Sequence, residues 1–250
     1  MQILNPIPFR EAIVQLAQKA LLPTNMNSAE LMQLDASVRE RAFFSARNMY
    51  EVVLSGIRDK VATLINPQTV PRGATEGETL ARARTDIREM LQSVGYDPDK
   101  PGTITDISSD QRIRLVLDMN MQMAQNYGDW RQGQTKTLLD AYPAQELYRA
   151  EERKEKRDWY ARWEGAGGEI FPGVPPGLPI GDGNGRMIAL KNDTIWSAIS
   201  EFGLPYPPFD FNSGMSIRDV SRLKAMAFGL IDADTEIEPQ RRPFEDSFPT

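Results

Sequence analysis

The sequence contains one spacing that is typical of a nucleophilic enzyme, the pair Ser221 and Lys224. An S-x-x-K string on a helix places an amine one turn away from a serine hydroxyl, as in serine acylases. Neither an S-D-N nor a K-T-G string, the companions of that motif, follows in the chain. Because a four-residue match arises readily by chance on a helix, we favour a solvated helix face and predict no catalytic residues.

Acidic residues alternate near the C-terminus in a way that faintly resembles a calcium-binding loop. The carboxylates belong to Asp232, Asp234, Glu236 and Glu238, and hard cations need several carboxylate oxygens close together. Ile237 stands where an EF-hand loop requires glycine, and the closing glutamate is missing. A solvated acidic tail is therefore the favoured interpretation, and we predict no metal site.

The range of possible chemistry is narrowed by two residue types that the chain lacks. It has no cysteine and no histidine, which removes disulfides, thiolate and imidazole catalysis, and the usual ligands of zinc, copper and haem iron. The glycine clusters at 165–168 and 181–185 lack the G-K-[ST] ending of a phosphate-binding loop. We therefore expect neither an enzyme nor a bound cofactor.

Charge and hydropathy predict a protein that neither spans a membrane nor binds to its surface. The 250-residue chain has 29 basic and 35 acidic side chains and a net charge of -6, which opposes broad attachment to an anionic bilayer or a phosphate backbone. No apolar run is long enough for a membrane span, and Asn5, Arg10 and Glu11 interrupt any signal-like start. The lack of disulfides fits a reducing compartment, so we expect an intracellular origin.

Hydrophobic periodicity predicts a mainly α-helical fold. The predicted helices are 9–20, 28–65 as one helix or two, 78–93, a stretch that begins after Ser108 or Ser109, 144–163, 193–202 and 216–230. A strand is expected at 186–190, after a glycine- and proline-rich insertion near 165–185. We divide the chain into an N-terminal long-helix domain (1–140), a small α+β part (141–231) and an extended tail (232–250).

Residues 143–164 combine aromatic and charged side chains, a composition that can bind nucleic acid. Six basic side chains are balanced by six acidic ones, so the segment carries no net positive field. We favour a solvated helix in which Glu152 pairs with Lys156, while Trp159 and Trp163, one turn apart, pack on a neighbour. Nucleic-acid binding is the alternative interpretation.

Several short strings occur in a definite order along the chain. They are R-x-R-x-x-L at 112–117, YPAQELYR, RDWYARWEGAGG, RMIALKNDTIWSAISEFG and PYPPFDFNSGM. Together they resemble the minor head proteins of tailed bacteriophages, with the greatest likeness to the Mu-like head morphogenesis family. The likeness covers roughly residues 28–231 and is strongest at 141–220. Many family members carry histidine and cysteine in the C-terminal portion, and this chain has neither, so a metal is not carried over.

The resemblance implies a structural protein of the virion, located in the head or at the portal vertex and assembled in the host cytoplasm. It would act in head assembly or genome packaging. Its partners would be the portal protein, the major capsid protein or both, with multiple copies in a symmetric assembly. The alternatives are a DNA-associated protein that guides genome packaging or ejection, and a head–tail connector component.

Aromatic and proline side chains are the candidate partner-binding residues. The loop at 206–211 is stiff and apolar, a character that suits a docking surface. It would equally suit a loop that covers its own domain. The candidate residues are Trp159, Trp163, Trp196, Tyr206, Pro207, Pro208, Phe209 and Phe211.

Overall fold

The fold is mixed α+β, with 46% of it helical. The computed structural model describes residues 10–66, 69, 74–154, 157–173, 185–211 and 213–241. Within these ranges, no helix combines the length and the apolar character needed to cross a lipid bilayer. The expectation of a mainly α fold is thus only partly confirmed, because strands organise much of the second half.

The chain divides into two compact units between Gly128 and Asp129, whereas the sequence suggested a boundary near residue 140. The elements of the first unit are α1 (Arg10–Gln18), β1 (Ala20–Leu21), α2 (Ser28–Met32), α3 (Ala36–Arg41), β2 (Ala42–Phe43), α4 (Glu51–Leu64), α5 (Glu76–Ser93) and most of α6 (Asp110–Gly133). Strands β1 and β2 pair in parallel, with Ala20 opposite Ala42.

Helices α1, α4, α5 and α6 form the core of the first unit. Their buried residues recur at three- and four-residue spacing, which places them on one face of each helix. The stripes are Ala12 and Leu16 on α1, Val53, Ile57 and Val61 on α4, Ala83, Ile87 and Leu91 on α5, and Ile113, Leu117 and Ala124 on α6. The space beside Gly56 on α4 is filled by the end of the Met90 side chain of α5. The helices predicted at 9–20 and 78–93 are confirmed.

The predicted helical stretch 28–65 is wrong in its first half. It contains α2, α3 and the strand β2 before the continuous helix α4 begins. Asn27 caps α2 by accepting the Ala29 and Glu30 N–H groups, and Asp35 caps α3 by accepting the Ser37 N–H. Each cap starts a new short helix and lets the chain change direction between the two.

The second unit is built on a four-stranded antiparallel sheet. Its elements are the end of α6, α7 (Lys136–Ala141), β3 (Ala144–Arg149), α8 (Trp159–Gly165), β4 (Ile170–Phe171), β5 (Arg186–Leu190), α9 (Ile195–Ala198), β6 (Met215–Val220) and α10 (Arg222–Ala227). The strand order is β4-β5-β3-β6. In the register, Glu146 on β3 lies opposite Ile188 on β5 and Arg218 on β6.

Both faces of this sheet are covered. Alternate residues of a strand point to opposite faces, and here Leu147 and Met187 join a core with the tryptophans of α8 and α9. Ile188 and Val220 join a different core with residues of α7, α10 and the segment that follows α10. Covering both faces explains why β3 is almost entirely buried although it includes Gln145 and Glu146.

Several predictions for the second unit are wrong. Residues 144–149 and 215–220 are strands, where helices were expected, because polar side chains such as Glu146 and Arg218 pair with each other across the sheet. The predicted helix 193–202 shortens to α9, while the strand predicted at 186–190 is confirmed as β5. Residues 174–184 of the glycine- and proline-rich insertion lie outside the described residues.

The start of the predicted extended tail is packed against the second unit. Ile237 is buried in the core that covers β5 and β6, close to Ile231, and the Gln240 N–H donates to the side chain of Gln134 at 2.8 Å. The prediction of a wholly solvated acidic tail is therefore wrong for its described part. Residues 242–250 lie outside the described residues.

Candidate functional site

The predicted docking aromatics lie in the interior of the second unit. Trp163 and Trp196 are fully buried with their ring centroids 5.3 Å apart, and Trp196 stacks on Phe209 at 6.1 Å. The indole N–H of Trp163 donates to the Glu169 carbonyl at 2.9 Å, and that of Trp196 to the Leu190 carbonyl at 2.8 Å. These contacts are those of a core, because buried indoles need both apolar neighbours and a hydrogen-bond acceptor.

Most residues of the loop at 206–211 are also buried in the second unit. Tyr206, Pro207, Pro208 and Phe209 are all buried, as is Trp159. Phe211 is half-buried, and its ring lies 4.9 Å from that of Phe202. The burial of these residues favours the alternative interpretation, in which the loop covers its own domain, because a docking residue must expose apolar surface.

The pair that suggested nucleophilic chemistry lies at a helix start. Ser221 is the N-cap of α10, and Lys224 is exposed on that six-residue helix. Of the acidic residues near the C-terminus, Glu236 reaches Lys136 at 3.7 Å. Within the described ranges, no group of three or more metal-ligating side chains comes together.

One buried amine of the second unit pairs with a carboxylate. The Lys191 side chain is buried, and its Nζ lies 2.8 Å from Asp219 Oδ1. Partial burial and the neighbouring Asp219 carboxylate raise the pKa of Asp129. Because the ammonium is held by its carboxylate partner, this arrangement suits a structural ion pair better than a nucleophilic lysine.

A second ionic cluster crosses the middle of the sheet. Glu146 Oε1 accepts a hydrogen bond from Arg186 Nε at 2.8 Å, Glu146 Oε2 accepts one from Arg218 Nε at 2.8 Å, and Arg186 Nη2 adds a further contact to Oε2. Burial alone would raise the pKa of Glu146, but the hydrogen bonds and charges of the two arginines outweigh it and lower that pKa. The buried carboxylate is thus neutralised by two cations of the same chain, which is the arrangement of a structural ion cluster.

Two arginines of the first unit line a cavity and do not surround a carboxylate of the described chain. A cavity of about 160 Å³ is lined by Asn27, Ser28, Ala46, Arg47, Ile104, Thr105 and Arg112. Arg112 Nη2 donates to Ser45 Oγ at 3.2 Å and to the Ala46 carbonyl at 3.3 Å, two partners without charge. Among the described residues, no carboxylate forms an ion pair with Arg47 or Arg112. We call this cavity the arginine pocket.

Burial lowers the pKa of the Arg112 guanidinium. A desolvated cation without a counter-ion is unusual, because burial of a charge is unfavourable unless an opposite charge or several hydrogen bonds compensate it. The guanidinium remains charged at neutral pH. The arginine pocket therefore has the electrostatic character of a site for an anion.

The wall of the pocket next to α6 is fixed by a turn around Asp106. Its carboxylate accepts the N–H groups of Gly102 at 2.9 Å and Ser108 at 2.8 Å. Although burial acts to raise the pKa of Asp106, these hydrogen bonds lower it. Ser109 Oγ donates to the Thr103 carbonyl at 2.8 Å. The turn thereby holds Ile104 and Thr105 in place beside Arg112.

Arg47 enters the pocket from a strained backbone. Its φ angle is +59°, and it is the one non-glycine residue with positive φ in the described part of the chain. The Arg47 N–H donates to the Met26 carbonyl at 2.9 Å, and the Thr24 N–H donates to the Asn48 carbonyl at 2.9 Å. These bonds join the segment around Thr24 to the turn at Arg47, which lies in the left-handed region, where most side chains are unfavourable.

Three exposed apolar residues belong to the chain segments that form the pocket, and one of them, Ile104, lines the cavity itself. Met26 is 39% exposed and Ile104 41%, and Met49, two residues after Arg47, is 57% exposed. Met26 is joined to Arg47 by the backbone bond given above, and Ile104 lines the cavity. We call Met26, Met49 and Ile104 the pocket rim. Methionine and arginine are enriched at protein interfaces, so the rim and pocket together have the composition of a docking surface.

Sequence reasoning identified Arg112 as part of the R-x-R-x-x-L string but missed the arginine pocket. The pocket joins residues that are more than 60 positions apart, as in the contact between Arg112 and Ser45. No local signal marks Arg47, since a positive φ is expected at glycine or asparagine and not at arginine. Comparison of the chain with known protein families, with curated proteins and with solved structures finds no match.

Proposed function

We propose that this chain is a structural component of a tailed-bacteriophage virion, which acts in head assembly or genome packaging by docking on the portal protein or the major capsid protein. The resemblance of the ordered strings between 112 and 215 supports the virion assignment. The first unit, and not the aromatic loop of the second, provides the docking surface. The observation that carries this assignment is the pocket rim beside the arginine pocket.

The rim suits a protein partner for a physical reason. Isolated apolar side chains on a surface are common, but apolar residues grouped around a recessed polar site form the pattern of an interface, in which burial of the apolar part supplies affinity and the polar part supplies specificity. Met26 and Met49 have flexible, polarisable side chains that adapt to a partner surface. The second unit offers no comparable grouping at the predicted aromatics, which are buried.

The experiment is co-expression of the full chain with the portal protein and the major capsid protein of the same genome, followed by size-exclusion chromatography. The test variant is Met26→Ser with Met49→Ser. The control is Leu223→Ser with Met226→Ser, which removes exposed apolar surface from α10 in the second unit. We expect the test variant to bind about tenfold more weakly and the control to bind like the wild type.

Two results would overturn the proposal. If the wild-type chain forms a complex with neither head protein, the virion function is wrong. If the control variant loses the complex while the test variant keeps it, the docking surface lies on the second unit and not at the pocket rim. Circular dichroism of each variant establishes that the helical content is unchanged.

A further inference from the structure

We propose that the arginine pocket receives a carboxylate, the side chain of an aspartate or glutamate that the partner protein inserts between Arg47 and Arg112. The identity of the partner rests on the proposed function. The chemistry of the pocket does not, because an anion site can be tested with small carboxylates on the chain alone. The inference extends the docking surface from an apolar contact to a specific charge-assisted one.

Arg112 is a cation whose hydrogen-bond partners in the pocket are uncharged. Its guanidinium carries five N–H donors, of which Nη2 contacts Ser45 Oγ and the Ala46 carbonyl. Both acceptors are neutral, and burial lowers the pKa of the group without any carboxylate to oppose the effect. A bound anion would supply both the missing charge and acceptors for the remaining donors. Arginine pairs with carboxylates through two parallel hydrogen bonds, which makes it selective for planar anions.

The other groups of the pocket suit the same ligand. Three polar residues that carry no charge, Asn27, Ser28 and Thr105, also line the cavity. The one acidic side chain of α2, Glu30, is engaged by the Asn27 N–H at 2.7 Å and pairs with neither arginine. The cavity, at about 160 Å³, exceeds the volume of about 30 Å³ that one water molecule takes up in the liquid. It therefore has room for a carboxylate group with its adjoining carbon.

The strained backbone at Arg47 supports a functional role for its side chain. Glycine would occupy a φ of +59° without steric cost, and asparagine at a small one. The Arg47 side chain is exposed and forms no hydrogen bond or ion pair within the described chain that would compensate the strain. Strain that persists without an internal benefit is typical of residues that serve a ligand. The side chain is thus held at the mouth of the pocket in readiness for an anion.

A protein carboxylate fits this pocket better than a nucleic-acid phosphate. The pocket rim is apolar, with Met26, Met49 and Ile104 each more than a third exposed, and apolar rims suit protein surfaces. The whole chain carries a net charge of -6, which repels a phosphate backbone. Two arginines in one recess recognise a single anion, whereas binding along a nucleic acid needs a stripe of basic groups.

The test uses the full chain with two small anions, sodium glutarate and sodium phosphate, each titrated at constant ionic strength. Binding is followed by the NMR signals of the arginine side-chain Nε–H groups. We expect glutarate to bind with a dissociation constant of about 1–10 mM, as is reasonable for one charge-assisted contact. Phosphate should bind more weakly. The variants Arg47→Gln and Arg112→Gln should each abolish saturation by glutarate.

The matched control is Arg114→Gln, two residues from Arg112 on the same helix. Arg114 is exposed and pairs with Asp118 at 3.5 Å, so its loss should leave glutarate binding unchanged. Arg112→Lys keeps the positive charge but loses the planar fork of donors, and we expect it to bind glutarate at least about fivefold more weakly while its fold is retained. This variant keeps the test decisive if Arg112→Gln does not fold.

The outcomes separate the possibilities. Equal or tighter binding of phosphate would overturn the carboxylate assignment and point to a nucleic-acid ligand, and no saturable binding of either anion would overturn the site itself. In the co-expression experiment, a complex that survives Arg47→Gln and Arg112→Gln unchanged would overturn this inference and leave the proposed function intact. We expect those variants to weaken the complex about 30-fold or more, the loss typical of a desolvated charge pair from which one partner is removed.

Discussion

The two units of this chain each hold a pair of arginines, and the two pairs differ in one respect. In the second unit, Arg186 and Arg218 converge on the carboxylate of Glu146, which is almost fully buried at the centre of the sheet. In the first unit, Arg47 and Arg112 line one cavity, and no carboxylate of the described chain joins them. The cluster in the second unit therefore contains two cations and an anion, whereas the cluster in the first unit contains cations alone.

The difference indicates which cluster is structural. A buried ion pair whose charges and hydrogen bonds are all satisfied fixes the register of the strands that carry it, since any slip would leave a charge unpaired. A cluster of cations alone does not fix a strand register in this way. The burial of its charge also lowers the stability of the free protein. The ionic cluster of the second unit is therefore structural, whereas our proposal is that an anion of a partner completes the arginine pocket of the first unit.

The largest expected effect comes from the aromatic core of the closed unit. Phe209→Ala removes a fully buried ring that stacks on Trp196, and we expect it to lower the free energy of unfolding by about 4 kcal/mol. Urea denaturation followed by tryptophan fluorescence measures this directly, because Trp130, Trp159, Trp163 and Trp196 all lie in the second unit. Phe211→Ala, at a half-buried site, should cost clearly less. Equal costs would break the assignment of this loop to the core.

Glu146→Gln should have the next largest effect. It removes the buried anion shared by Arg186, which is 17% exposed, and Arg218, which is 55% exposed, and we expect a loss of about 3 kcal/mol in the stability of the second unit. The measurement is again urea denaturation by tryptophan fluorescence. Glu201→Gln is the control, because Glu201 is about half exposed and its ion pair with Arg162 spans 3.5 Å, a surface contact of about 0.5 kcal/mol.

The pH dependence of this loss gives a second check. The pKa of Glu146 is lowered in the folded state, so its stabilisation is fully present above the ordinary pKa of 4.5 and disappears as the pH falls through the folded value. The difference between wild type and Glu146→Gln should accordingly shrink in acid. A difference that stays constant down to pH 3 would show that the charge of Glu146 is not the cause.

The stability of the first unit should instead depend on pH in the alkaline range. Burial lowers the pKa of Lys19 from 10.5 to about 8, although the Glu40 charge acts in the opposite direction. The folded state then binds fewer protons than the unfolded state between these values, so stability rises with pH, by about 2 kcal/mol from pH 8 to pH 10. Hydrogen exchange of amides in α1 and α4 measures this. Lys19→Met should flatten the slope, and a stability that falls over this window would contradict the prediction.

Arg112→Met should affect stability in the opposite sense to Glu146→Gln. It removes a desolvated cation that has only neutral partners, so we expect the free energy of unfolding to stay the same or to rise by about 1 kcal/mol. Hydrogen exchange of amides in α4 and α5 provides the measurement. If this variant loses more than about 1 kcal/mol, the two arginine clusters are alike and the comparison between them fails.

The smallest effect is expected at Arg47. Arg47→Gly relieves the positive φ angle and should raise the stability of the first unit by about 0.5–1 kcal/mol. Arg47→Ala is the matched control, since it removes the same side chain but keeps a Cβ in the left-handed region. A gain in the alanine variant equal to that in the glycine variant would show that the backbone is not strained.

The sequence predicted the helices of the first unit best, because their stripes are regular. Ile87 and Leu91 on α5, for example, recur at the spacing of a helix face and are buried as expected. Strands β3 and β6 were missed because their charged residues read as an exposed helix face. Glu146 is buried only because Arg186 and Arg218 approach it from neighbouring strands, and such pairing over 40 residues or more leaves no local pattern.

The candidate site was harder to predict from the sequence than the fold was. The tryptophans and the proline loop were selected for their residue types, yet the same apolar character that suits an interface also suits a core, and burial decides between the two. The arginine pocket depends on a contact between Arg112 and the residues 45–46, and on the unusual backbone of Arg47. Both are properties of the folded chain.

The most direct test is a cryo-electron microscopy map of the chain bound to the portal or major capsid protein. We predict that an aspartate or glutamate of the partner lies between Arg47 and Arg112, with a carboxylate oxygen at hydrogen-bond distance from the Arg112 guanidinium, and that Met26, Met49 and Ile104 are covered by the same partner. A map in which the arginine pocket faces solvent, or contacts a DNA phosphate, would contradict this claim.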